Sequence, residues 1–163
     1  MISGKKILIV EDSRTIRLQL KMMLKDQGAV LVDAGSEWGM NTKIEEYGVV
    51  ADLIIMDLIL NYENGLELIN KLKQTPKYKD IPIIIITEKV DVASILKARD
   101  LGVKSYLRKP IKKADLISRI GDALEKTDRA ETSESIEMAQ TPESNQNSEL
   151  PKNPGSPDST ESL

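Results

Sequence analysis

The chain has 163 residues, 30% of them charged and 40% hydrophobic, a size and balance suited to one soluble globular domain with little to spare. It contains no Cys and no His, which excludes disulfide frameworks, thiolate or imidazole metal sites, Ser-His-Asp triads and histidine acid–base chemistry; any metal must be held by oxygen, which points to Mg²⁺, Mn²⁺ or Ca²⁺. The net charge of −3 is uneven: residues 127–163 carry 8 acids against 2 bases, or −6, so residues 1–126 carry +3, a distribution that does not suggest a nucleic-acid binder.

With 3% aromatic residues and no Phe, the core must be built from Ile, Leu, Val, Met and Ala. The longest apolar runs are strand-sized, well short of the ~20 residues that span a bilayer. Residues 1–6 lack a signal-peptide pattern. The expectation is a cytoplasmic protein without a membrane segment.

Strand and helix signals alternate from the start. Ile7, Leu8, Ile9 and Val10 form a continuous apolar run, as in a strand buried on both faces. Ile16, Leu20, Met23 and Leu24 recur at helical spacing, and Gly28 follows as a stop. Residues 30–32 read as a second strand. Ser36 can cap a helix that runs to about Tyr47 and ends at Gly48. Residues 53–56 are the third strand. Asn64 can cap a helix carrying Leu66, Ile69 and Leu72, with Pro76 beyond its end. Ile83 to Ile86 form the most hydrophobic strand, opened by Pro82. Asp91 caps a helix with Val92, Ile95, Leu96 and Leu101, closed by Gly102. Residues 105–107 are the fifth strand, and a last helix over about 113–126 buries Leu116, Ile117, Ile120 and Leu124.

Five strands alternating with five helices imply a parallel sheet covered on both faces. Such sheets bind ligands beyond the carboxyl ends of the strands, where the winding reverses. After Lys126 the pattern stops. The tail holds 4 of the 7 prolines and is rich in Ser, Glu, Asn and Gln, a composition that cannot bury enough surface to offset ordering entropy. Residues 4–126 are therefore expected to be the domain, and 127–163 a disordered acidic tail.

The chemistry-bearing residues follow strands. Glu11 and Asp12 follow the first, Asp57 the third, Thr87 the fourth, and Lys109-Pro110 the fifth. A parallel sheet gathers these ends along one edge. Three carboxylates there repel unless a cation neutralises them, and a hard divalent ion or the Lys109 ammonium can do so. The set suits phosphoryl transfer: a carboxylate can become an acyl phosphate, and the Thr87 hydroxyl can donate to a phosphoryl oxygen. Asp57 follows the third of the five strands, which is expected to be the central one.

The order Glu11-Asp12, Asp57, Thr87, Lys109-Pro110, with Gly65 in the loop after Asp57, resembles the receiver domain of two-component response regulators, the CheY-like superfamily. The resemblance covers about residues 4–126. It implies a flavodoxin-like (βα)5 fold, a doubly wound five-stranded parallel sheet of order 2-1-3-4-5. It implies a switch, not an enzyme, whose Asp57 accepts a phosphoryl group from a sensor histidine kinase or a His-phosphotransfer protein. Glu11, Asp12, Asp57 and the backbone carbonyl of Ile59 would ligate Mg²⁺, for which Mn²⁺ can substitute. Thr87 and Lys109 would contact the phosphoryl group, Thr87 and Tyr106 would act as the switch pair, and the Lys109-Pro110 bond would be cis. A downstream protein would bind the face of the fourth helix, fifth strand and fifth helix, including Ile95, Ala98, Tyr106 and Lys109.

The sequence departs from the family at three places. The run Asp57-Leu58-Ile59-Leu60-Asn61 lacks the usual Met-Pro, which implies a less rigid loop. Glu88 stands where a small residue is usual and would narrow access to Asp57. Ile59 and Lys89 occupy positions that tune self-hydrolysis, and an apolar Ile59 cannot position a water, so slow dephosphorylation is expected. Two alternatives stand beside this reading: a pseudo-receiver that binds partners without phosphorylation, and a Mg²⁺-dependent aspartyl-nucleophile phosphatase. The second needs an acid two residues after the nucleophile, where this chain has Ile59.

Overall fold

A computed structural model describes residues 2–48, 50–61, 63–88, 91–103 and 105–138, with residues 46, 47 and 128–138 described by backbone alone. The elements in chain order are β1 (Lys6–Val10), α1 (Arg14–Leu24), β2 (Val30–Ala34), α2 (Glu37–Tyr47), β3 (Leu53–Asp57), β4 (Ile59–Leu60), β5 (Glu63–Asn64), α3 (Gly65–Gln74), β6 (Ile83–Thr87), α4 (Val92–Asp100), β7 (Ser105–Arg108) and α5 (Lys113–Met138). A short 3₁₀ turn, Lys25–Gln27, extends α1 to Gly28.

The main sheet has the order β2-β1-β3-β6-β7, and all of its pairings are parallel. Counting only its five strands, this is 2-1-3-4-5, the flavodoxin-like order that the family resemblance implies. The β4–β5 hairpin was not anticipated. It is antiparallel, pairs Ile59 with Asn64 and Leu60 with Glu63, and occupies the loop directly after Asp57.

Strand side chains alternate between faces, and here both faces are covered. Ile7, Ile9, Leu53, Ile55, Ile84 and Ile86 pack with Leu20, Leu24, Leu116, Ile120 and Leu124 of α1 and α5. Leu8, Val10, Ile54, Met56, Ile83 and Ile85 pack with α2, α3 and α4 through residues such as Met40, Leu68, Ile69, Leu72 and Ala98. The sheet is thus the middle of three layers. Burying a Leu or Ile side chain contributes roughly 1.5–3 kcal/mol, so truncating a fully buried one such as Ile55 to Ala costs about 2–5 kcal/mol.

Polar caps set the helix starts. Ser13 accepts from Ile16 N, Ser36 from Gly39 N, Asn64 from Leu66 N and Asp91 from Ser94 N. Gly48 stops α2 in the left-handed region at φ 57°, where an L side chain is strained.

In α4 only Ala98 is fully buried, while Val92 and Leu96 are exposed; the expected end of the last helix is corrected. α5 continues to Met138 instead of closing near Lys126. Leu124 is the last buried residue among its described side chains, and residues 127–138 contain neither Pro nor Gly to break the hydrogen-bond ladder. The remainder of the tail expected to be disordered, 139–163, lies outside the described residues, as does Lys89. No described helix is long and apolar enough to cross a membrane.

Candidate functional site

Winding reverses at β1: the chain leaves it for β2 on one side and returns to β3 on the other. Glu11 and Asp12 follow β1 and Asp57 ends β3, so the acids face one another across this switch point. Their carboxylate oxygens lie within 4.8 Å of one another. Glu11 is 1% exposed and Asp57 3% exposed, whereas Asp12 is half-buried.

Lys109 reaches into this cluster from the loop after β7. Its Nζ lies 2.7 Å from Glu11 Oε2 and 2.7 Å from Asp57 Oδ2. Its backbone N–H donates to the Thr87 carbonyl at 2.9 Å, which ties the ends of β6 and β7 together. The remaining carboxylate oxygens accept backbone donors: Ser13 N to Glu11 Oε1 at 3.1 Å, and Ile59 N to Asp57 Oδ1 at 3.1 Å. Among the described residues no buried side-chain nitrogen or oxygen lacks a partner.

Burial pushes the Glu11 carboxyl up to about 7; the Lys109 ammonium and the Ser13 N–H oppose the rise, and the Asp57 carboxylate adds to it. Burial works against the Lys109 ammonium too, but its bonds to Asp57 and Glu11 outweigh that and raise it. The two shifts pull the Glu11–Lys109 contact in opposite senses. The two short contacts at Lys109 decide in favour of a charged ammonium shared between acids. One ammonium against two buried carboxylates leaves residual negative charge, which an arriving cation would relieve.

Gly65 sits beneath Asp57. A Cβ there would fall on the Asp57 carbonyl oxygen and 2.7 Å from Leu58 Cα, so the close approach of α3 to β3 requires glycine. The Gly65 N–H donates to the Leu58 carbonyl at 3.0 Å. Thr87 is 3% exposed at the end of β6. Tyr106 is half-buried and lines, with Thr87 and Ile95, a small void of about 10 Å³ behind the site. The Lys109-Pro110 peptide is cis. A larger cavity of about 840 Å³ opens beside Lys109, floored by Ile16, Leu20 and Met23, with Glu88 and Pro110 in its wall.

Of the residues placed at the site from the sequence, Glu11, Asp12, Asp57 and Lys109 come together as one charged cluster, with Thr87 at the end of β6 on the same sheet edge and Ile59, 60% exposed, two residues after Asp57. Ala98, expected on a partner face, is 1% exposed and belongs to the core, so Val92 and Leu96 supply the exposed apolar surface of α4 instead. Sequence reasoning missed Arg17. Its Nη1 donates to the carbonyls of Glu11 at 2.6 Å and Asp12 at 2.9 Å, and its Nε to Asp33 Oδ2 at 3.0 Å. Backbone carbonyls leave no signature in a sequence, so only the polar position of Arg17 beside an acidic loop could have hinted at it.

Fold and site together define a doubly wound domain whose buried acids share a lysine at the switch point. The chain belongs to the response regulator receiver domain family, whose sequence profile matches residues 7–121. It is 34% identical over 123 residues to a chemotaxis protein CheY homolog of Campylobacter jejuni, covering 73% of this chain and 92% of that one. It is 30% identical over 135 residues to the phosphate regulon transcriptional regulatory protein PhoB of Pseudomonas aeruginosa; that match covers 83% of this chain but only 58% of the relative. Among solved structures it is similar to the Mn²⁺-bound form of response regulator Rcp1, with a TM-score of 0.62 and 27% identity, over 71% of this chain and 88% of that one.

Proposed function

We propose that this receiver domain is a phosphorylation switch in which Asp57 takes a phosphoryl group from a histidine kinase or His-phosphotransfer protein. The observation that carries the reading is the Lys109 ammonium held 2.7 Å from Asp57 in a buried acidic cluster. In the transfer, an Asp57 carboxylate oxygen attacks phosphorus, a P–O bond forms, and the donor's P–N bond breaks with its electron pair leaving on the imidazole. Lys109 turns from its carboxylate partners toward the phosphoryl oxygens, and the Thr87 hydroxyl donates to one of them. The cavity beside Lys109 gives a donor an apolar seat next to the reacting acid.

The donor set fits a divalent cation. Glu11, Asp12 and Asp57 offer hard oxygens in a cluster that one ammonium leaves negative, and Mg²⁺ or Mn²⁺ favours such ligands. The solved Mn²⁺-bound relative is consistent with this. Glu11, Asp12, Asp57 and the Ile59 carbonyl would hold the ion, which when bound offsets negative charge on the phosphoryl oxygens. Output follows from protein binding at the α4–β7–α5 face, where Ile95 and Tyr106 are half-buried and Leu96 is exposed; the added charge of about −1.5 to −2 shifts a two-state equilibrium through Thr87 and Tyr106. The exposed apolar side chain of Ile59 offers nothing to position a water, so the phosphorylated form should last minutes or longer.

A second reading, a phosphorylation-independent binding module, takes the Lys109 bridge between Glu11 and Asp57 as a purely structural ion pair. Intact mass after incubation with Mg²⁺ and acetyl phosphate separates the two. A single phosphoryl adduct, absent in Asp57→Ala, supports the switch. A folded protein that takes up no adduct refutes it and leaves the binding module.

A further inference from the structure

We propose that Arg17 is a positioning residue that holds the Glu11–Asp12 backbone so that both carboxylates face a shared divalent cation, with Asp33 as its anchor. This rests on the metal-site reading above. β1 ends at Val10, so Glu11 and Asp12 leave the sheet just where their side chains must converge on Asp57. The Glu11 N–H still reaches the Ala34 carbonyl, but the two carbonyls have left the ladder and turn toward α1 instead. Arg17, 18% exposed, spans both of them with one nitrogen and reaches Asp33 with another. The planar guanidinium makes this possible, because its donors point in fixed directions. Drawing both carbonyls to one nitrogen restricts the peptide planes at Glu11 and Asp12, and hence the directions of their Cβ atoms.

Asp33 is held in turn by Lys21, whose Nζ lies 2.7 Å from Oδ1. Gly35 leaves room for the guanidinium, since a Cβ there would stand 3.2 Å from Nη1. Lys21 supplies an internal control. It pairs with the same carboxylate as Arg17, but among the described residues it makes no hydrogen bond to the acidic loop. If Arg17 mattered only as an ion-pair partner, Lys21 would be equivalent to it.

The test is Mn²⁺ affinity by electron paramagnetic resonance, read alongside circular dichroism and urea unfolding of each variant. Arg17→Met should weaken Mn²⁺ binding about 10- to 100-fold, the usual effect of removing a group that orients metal ligands. Lys21→Met should change it by less than about twofold. Electrostatics alone predicts the opposite sign for Arg17→Met, because deleting a cation near a cation site favours metal binding. Affinity in folded Arg17→Met that is unchanged or tighter overturns the proposal, and so does an equal loss in Lys21→Met. If Arg17→Met does not fold, Arg17→Lys carries the test: one ammonium cannot span both carbonyls and Asp33, so binding must weaken, and equal affinity overturns the proposal. If the unsubstituted protein binds no Mn²⁺, the metal-site reading itself falls and the positioning role falls with it, an outcome distinct from every variant result.

Discussion

Replacing Lys109 with Met removes the ammonium that Glu11 and Asp57 share while keeping the length of the side chain. The carboxylate oxygens lie within 4.8 Å of one another, and at an effective dielectric constant near 20 two such charges repel by about 3.5 kcal/mol. That agrees with the 3–5 kcal/mol typical of breaking a buried ion pair. Urea unfolding followed by circular dichroism at pH 8, above the value of about 7 to which burial raises Glu11, is the assay. With a slope of about 1.5 kcal/mol per molar urea, the midpoint in EDTA should fall by roughly 2 M. Adding 10 mM Mg²⁺ should restore much of the loss and should raise the midpoint of the variant more than that of the parent, because the ion stands in for the missing ammonium. A variant as stable as its parent in EDTA, or equal Mg²⁺ shifts in both, would refute the charge-balance argument.

Three further outcomes follow from the same geometry. Gly65→Ala forces β3 and α3 apart at Asp57; a loss of about 1–3 kcal/mol, with a melting temperature lower by roughly 5–15 °C and slower phosphorylation, is expected, and an unchanged melt and rate would contradict the close approach. Glu88→Ala removes an exposed carboxylate from the cavity beside Lys109, so acetyl phosphate should phosphorylate the variant about two- to fivefold faster at low salt, with the gain shrinking as salt rises; no gain at low salt counts against a gate. Burial favours neutral Asp33, but Lys21 and Arg17 outweigh it and hold the carboxyl below its ordinary value of 3.8. A depressed carboxyl adds stability above its unfolded value and loses it as pH falls through the folded one. Asp33→Asn should therefore cost about 1 kcal/mol at pH 7 and progressively less below pH 4, as seen in urea midpoints across pH, whereas a constant difference would exclude the linkage.

The strands were legible because β-branched runs buried on both faces have few other uses, and the sheet edge then placed Glu11, Asp57, Thr87 and Lys109 together. The β4–β5 hairpin was not legible, since two-residue strands are too short to show a period of two. α4 misled at Ala98, which was expected on a partner face but is buried, because a small residue carries little sign of which way it faces. The end of α5 misled for a different reason. The helical apolar spacing stops at Leu124, whereas the helix needs only backbone bonds and tolerant residues to continue. The lysine bridge itself could be expected from charge alone. The Arg17 clamp could not, because its partners are main-chain oxygens that every residue carries.

The length of α5 has a mechanical consequence. Thr127 still borders the cavity at the amino-terminal edge of the sheet, shared with Lys5 and Pro82, but Met138 lies three turns farther along the helix. At 1.5 Å per residue the chain is handed on about 16 Å away from that edge, on the side opposite the acids. The helix thus extends beyond the part that forms a layer of the core. Its first turn, at Lys113, lines the cavity next to Lys109, so a tilt imposed there would be magnified at the far end, as at the tip of a lever.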